Sequence, residues 1–225
     1  MKINKTNKII LGILMIMPLL LAIIFYPNLP EKIPMHYGMN NQVDRWGSKN
    51  EIFLFPALLV VIGLSMQNIT KRLAAKEQTG TNNQKLSVKV TYATLIWLNL
   101  MFGYTLYTTV NGITDLNDVP VPLGRFTGII LGSLLIFIGN LSPKAKLNKN
   151  SWINIGFRTP WSKKNEETWR RTQMASGYVS VIAGLMLIIS SFFVKAQWMP
   201  IVILVTILSF AIGVSIYSYW LAKKY

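Results

Sequence analysis

Six apolar blocks, at roughly residues 9–27, 52–70, 90–110, 124–142, 173–194 and 199–221, carry no Asp, Glu, Lys, Arg or His beyond Arg125 at the edge of the fourth. At 1.5 Å of rise per residue, each is long enough as a helix to cross about 30 Å of hydrocarbon. In that medium a spanning segment must satisfy every backbone polar group internally, so such blocks fold as helices and not as isolated strands. The fold class expected is all-α, a polytopic membrane protein of about six transmembrane helices, with residues 1–225 forming one integral membrane domain. Lys2, Lys5 and Lys8 precede the first block, but "LLLAIIFYPNLP" offers no small-residue cleavage site, so the block reads as a retained first helix.

The formal charge of +15 gains meaning only from where it falls. With the N-terminus on the inner side, eighteen of the 23 basic residues lie in inner segments: the N-terminus, residues 71–89, residues 143–172 and the tail. Lys32, Arg45, Lys49, Arg125 and Lys195 remain outside, with Glu31, Asp44, Glu51, Asp115 and Asp118 to balance them. Basic residues near spans resist translocation, so this asymmetry predicts cytoplasmic N- and C-termini. Such an inner face attracts anionic lipid headgroups, which explains the basic balance without any direct contact to nucleic acid.

Two connections exceed the few residues that usually join neighbouring helices. The outer one, residues 28–51, reads "NLPEKIPMHYGMNNQVDRWGSKNE" and holds the single histidine, His36. Pro27, Pro30 and Pro34 predict a stiff, extended exit from the membrane, with Gly47 allowing a tight turn before the next helix. The inner one, residues 143–172, contains "GFRTPWSKKNEETWRRT". There Gly156 allows a turn, Pro160 ends any preceding helix, and Ser162 or Asn165 can cap a new helix opening on Glu166 and Glu167. Trp161 and Trp169 suit an interfacial anchor, with a protein-docking face as the competing reading. A third connection, residues 71–89, has a Thr/Gly/Asn centre and reads as a hydrophilic connector. Gly128 and Gly132 have the spacing that lets helices approach closely, while Pro18 and Pro56 kink or start the first two helices.

Enzyme chemistry finds little to work with. Cysteine is absent and one histidine cannot build a zinc site, so no catalytic residue, metal or cofactor is expected. His36 with Asp44, Glu31 and Glu51 could hold a metal only weakly, and a loop histidine bonded to backbone is the plainer expectation. A transporter or permease is the alternative class. Midplane ionisable groups, which ion-coupled carriers retain, are missing from the blocks.

The outer "LPEKIPMHYGMNNQVDRWGSK" resembles the LP-x-x-IP-x-H segment and following D-x-W-G-S-K of the SdpI family of bacterial membrane immunity proteins. The inner "IGFRTPWSKKNEETWRRTQMASG" resembles that family's GIRTPWT…VW-x-x-TH-x-x-G segment. The resemblance implies immunity to a secreted antimicrobial peptide toxin, with a membrane sensor role in which toxin binding sequesters a helix-turn-helix repressor. By position, His36, Asp44, Trp46 and Lys49 match the outer motif, and sidedness assigns them, with Arg45, to toxin contact. Gly156, Arg158, Thr159, Pro160, Trp161, Trp169 and Thr172 match the inner one and are assigned to partner binding or structure, with Arg158 and its neighbours expected to order the segment. The chain departs from the family pattern around Asn41, where a glycine is usual, and at Gln173, where a histidine is usual.

Overall fold

The computed structural model describes residues 5–76, 82–148 and 155–225. The centre of the hydrophilic connector (77–81) and residues 149–154 of the inner segment lie outside the described residues. Six long helices dominate: α1 (Lys5–Phe25), α2 (Leu54–Lys76), α3 (Asn82–Val110), α4 (Leu123–Leu141), α5 (Glu166–Phe193) and α6 (Met199–Lys224). Each is long and apolar enough to cross a membrane. The helices overrun the apolar blocks, taking in Lys5 and Lys8 at the start of α1 and Lys85 and Lys89 at the start of α3. Pro18 sits within α1 and Pro56 in the first turn of α2, where the missing amide proton has no intrahelical partner to lose.

Hydrogen bonds at the helix ends show that the helices alternate in direction. Asn83, opening α3, clasps Lys146 beyond α4, and Lys164 before α5 reaches the Ala222 carbonyl at the end of α6. At the other end Arg125, opening α4, donates through Nε to the Ser191 carbonyl late in α5 (2.9 Å). That second end also carries the one departure from helix among the described elements, a strand pair. Residues expected as a stiff extended exit form an antiparallel hairpin, β1 (Lys32–Tyr37) and β2 (Val43–Ser48). Pro34 is tolerated because a two-stranded ribbon leaves edges on which a missing N–H costs no ladder bond. Gly47 makes no turn; it lies in β2 opposite Ile33.

Three apolar clusters stack along the molecule. Ala22, Leu29, Ile33, Ile52, Phe102 and Leu106 close the hairpin end, Leu11, Met15, Leu59 and Leu95 fill the middle of α1–α3, and Leu86, Leu141, Ala145 and Trp169 close the opposite end. Large apolar side chains cover the outside: Ile13, Ile16, Leu20 and Ile24 on α1, and Leu204, Leu208, Ile212 and Ile216 on α6. Their three- and four-residue spacing forms continuous stripes suited to acyl chains.

Hydrocarbon gives no hydrophobic drive for one apolar helix to leave lipid for another, so small residues that permit close approach decide helix pairing. Between α4 and α5 that contact runs through Gly128, Gly132 and Gly139 on one helix and Gly177 and Gly184 on the other, all buried. A Cβ on Gly132 would stand 2.6 Å from the Gly184 carbonyl, and one on Gly139 would stand 2.8 Å from that of Gly177. The spacing of Gly128 and Gly132 therefore marks a real interface. Gly132→Ala should destabilise the detergent-solubilised protein by about 1–3 kcal/mol, read as a lower melting temperature. Gly103→Ala, whose new methyl meets nothing within 4 Å, should leave melting unchanged or slightly raised.

Candidate functional site

The hairpin is fastened at both its base and its tip. At the base, Ser48 and Glu51 form a capping box: the Ser48 amide donates to Glu51 (2.9 Å) and the Ser48 hydroxyl accepts from Asn50. Lys49 pairs with Glu31 at 2.6 Å and lies 5.3 Å from the centre of the Tyr26 ring, whose hydroxyl bonds Asn50. Lys49 thus clasps the base of the ribbon, away from the other motif residues. A Cβ on Gly47 would collide with Glu51 and Met35, so the glycine lets the strand pass close under the cap.

At the tip, Asn41 takes a left-handed backbone (φ 66°), the only non-glycine residue to do so among those described. Asparagine tolerates that region better than most residues, so it can make here the turn for which the resemblance led one to expect glycine. Asn41 is also buried by the α3–α4 connection. Its side-chain amide donates to Asn117 Oδ1 (2.8 Å), its carbonyl accepts from the Leu116 amide (2.8 Å), and Val43 donates to Thr114 (3.0 Å). Gln42 adds a bond to Asp115 (3.2 Å). The Asn117 amide and the Gln42 side chain hold the Asp115 carboxyl below the ordinary value of 3.8. Its contribution to the tip is therefore complete above that value and is lost as the pH falls through the lowered one. Sequence reading singled out Asn41 only as a departure and Asp115 only as an outer acid, and passed over Gln42 and Asn117, since partners more than seventy residues apart leave no local pattern.

Between base and tip lies an exposed face. His36 Nδ1 meets Asp44 Oδ1 at 2.6 Å across the strands, so the histidine is oriented by a carboxylate and not by backbone. Trp46 lies two residues beyond Asp44, on the same side of an alternating strand, and is 48% exposed. Arg45, opposite His36, forms no hydrogen bond or ion pair with a described residue. Four of the five outer candidates thus share one small ribbon that presents an acid–imidazole pair, an indole and a guanidinium to solvent.

The inner motif is mostly turned inward. Gly156 has φ 117°, and a Cβ there would lie 2.3 Å from Gln173 Oε1, so glycine is required twice over. Gln173, fully buried, holds the Phe157 backbone from both sides: Oε1 accepts from its amide (2.9 Å) and Nε2 donates to its carbonyl (2.8 Å). Thr159 and Ser162 close a tight turn on each other's backbone, and Thr159 Oγ1 bonds Ser218 of α6 (2.8 Å). Asn165, not Ser162, caps α5 by accepting from the Thr168 amide (2.8 Å). Trp169 is no surface anchor: it is 2% exposed and donates its indole proton to the Ala145 carbonyl (2.8 Å). Thr172, three residues further on, is buried with a hydroxyl that has no partner among the described residues. Arg158 itself takes no part in ordering the segment, being exposed and unpaired among the described residues, whereas its neighbours Phe157 and Thr159 do so through Gln173, Ser162 and Ser218. Pro160 is exposed, and Trp161 packs edge-on against Tyr219 of α6 (5.2 Å).

Known families match the sequence at both of these segments. Residues 146–218 match the model of the SdpI/YfhL protein family, and residues 13–60 match a domain of unknown function (DUF1648). The chain is 26% identical over 222 residues to "Immunity protein SdpI" of Bacillus subtilis, covering 97% of each protein. It is 34% identical over 67 residues to an uncharacterized protein of Archaeoglobus fulgidus, covering 30% of this chain and 34% of that one. No solved structure matches. The resemblance to the SdpI family seen in the two motifs thus extends along nearly the whole chain.

Gln173→Leu should free both Phe157 backbone groups, an effect of about 1–3 kcal/mol for each buried group left unpaired. Hydrogen exchange at residues 155–160 should quicken by about tenfold or more, with helix amides of α1–α3 unchanged.

Proposed function

We propose that this multi-pass membrane protein, a full-length relative of an immunity protein, protects its cell from a secreted, membrane-active peptide. The observation that carries the reading is that relationship, 26% identity spanning 97% of both chains. Its motif residues give it a physical form. The ribbon is held at base and tip, so its exposed His36, Asp44, Arg45 and Trp46 lose little freedom on binding. Trp46 offers an amphipathic surface to an apolar peptide side chain, while Asp44 and Arg45 offer charges of both signs. Engagement there holds the peptide before it enters the bilayer, and no bond is made or broken.

The charge distribution supports placing the hairpin outside a bacterial plasma membrane. At the opposite end Lys71, Arg72, Lys144, Lys146, Lys163, Lys164, Arg170, Arg171, Lys223 and Lys224 gather, the side that the positive-inside rule keeps in the cytoplasm. We assign any relay to a helix-turn-helix repressor to this end, at the exposed turn around Pro160. A face this basic selects an acidic surface of such a partner and repels its positively charged DNA-reading helix.

In a peptide-sensitive strain, the wild type should restore survival under toxin exposure, and Trp46→Ala or Asp44→Ala should abolish it at equal membrane abundance. Survival unchanged in both variants would remove the ribbon from the recognition event. Loss of proton-motive force leaving protection intact would separate this reading from that of a coupled exporter.

A further inference from the structure

A second site lies at the end away from the hairpin. A cavity of about 420 Å³ opens between α2, α3, α4, α5 and α6 beneath residues 155–158. Met66, Val90, Leu135, Ile138 and Phe210 wall it, and Arg158 stands among its lining residues. Ligand pockets commonly run from about 300 to 1,000 Å³, so this one is large enough for part of a chain molecule. Leu135 places the wall six residues, roughly 9 Å, inside α4 from its end at Leu141. The cavity therefore reaches from the level of the connecting segment into the depth of the spans.

Its polar atoms narrow the occupant. Ser87 is bonded to Thr70 (2.7 Å), Ser142 to Ser176 (2.7 Å), and Ser180 to the Leu135 carbonyl (2.9 Å). The lining hydroxyls are thus satisfied within the protein and offer nothing to a peptide backbone, which would bring unmet donors and acceptors into an apolar space. Apolar walls also hold water poorly. Arg158 differs from the rest, because its guanidinium has no partner among the described residues. Nor is one at hand: the side-chain carboxylates described at this end are Glu166 and Glu167, and Glu167 is already bound by Arg170 and Arg171. An unpaired planar fork beside an apolar chamber complements a phosphate or carboxylate that carries an alkyl chain.

We propose that the cavity is a binding site for an anionic phospholipid, with its phosphate on Arg158 and one acyl chain between Ile138, Val90 and Phe210. A bound lipid then fills the space and joins the Gly156–Arg158 segment to the ends of α2 and α3. The site is independent of the immunity reading and stands or falls separately.

The test is lipid retention by the purified full-length protein, reconstituted in vesicles of equal phosphatidylglycerol and phosphatidylcholine, re-extracted in mild detergent and weighed by native mass spectrometry. Wild type should keep phosphatidylglycerol in preference to phosphatidylcholine. Arg158→Gln should cut that preference by about fivefold with melting unchanged, the effect of one cation facing an anionic headgroup. Lys223→Gln, which removes a charge from the same end but not from the cavity, should keep it. Ile138→Trp should reduce retention of both lipids by filling the chamber. Glycerol phosphate, lacking the chain, should not displace bound lipid. Equal retention of the two lipids by wild type, a preference untouched in Arg158→Gln, or an equal loss in Lys223→Gln would each overturn the proposal, the last by showing a diffuse basic surface in place of a site. Displacement by glycerol phosphate would do the same by showing a site for the headgroup alone.

Discussion

The close approach of α4 and α5 is the constraint on which the remaining geometry rests. Where a soluble protein would bury leucines to hold two helices together, a membrane protein gains little from doing so, and backbone contact through glycines takes over. Carbonyls of each helix lie within 2.8 Å of where Cβ atoms of the other would stand, too close for a side chain. This fixes the two helices in register along most of their length. At one end the register brings Arg125 to Ser191; at the other it brings Ser142 to Ser176 and Gln173. The polar network that fastens the inner segment is thus downstream of a glycine seam within the spans.

The two ends solve the same problem with different means. Each must hold an irregular segment rigid without the support of a long sheet or a large soluble core. The hairpin does this with a capping box, an ion pair and amide contacts to a distant connection. The inner segment does it with one buried glutamine acting as a surrogate strand for Phe157, and with a hydroxyl turn tied to α6. Both leave a few side chains exposed, and those few include the ones with recognition chemistry: the His36–Asp44 pair, Arg45 and Trp46 at one end, Arg158 and Pro160 at the other.

The spans were legible because hydropathy over some twenty residues is a local property, and so were the Gly128–Gly132 contact and the Asn165 cap. The hairpin was harder to see. Its prolines argued for extended chain, which is half right, since β1 is extended; the pairing depends on β2 and on partners beyond residue 110. Trp169 was misplaced for a related reason. A tryptophan followed by two arginines reads as interfacial, and only the Ala145 carbonyl across the fold gives its buried indole proton a partner. The substitution at Gln173 looked like a lost histidine, whereas its two-handed grip on Phe157 needs a donor and an acceptor on one planar group, which an amide supplies.

The tip of the hairpin bonds to residues 114–117, so the first three helices and the last three are stitched together outside the bilayer as well as within it. One family match, at residues 13–60, takes in the ribbon half of that stitch, the other, at residues 146–218, begins beyond it, and neither covers the connection at 113–117. Recombination between relatives therefore cannot treat the ribbon as a cassette. A transplanted ribbon would arrive without the asparagine and aspartate that receive it, so residues 38–43 and 113–117 form one inheritable unit written in two places.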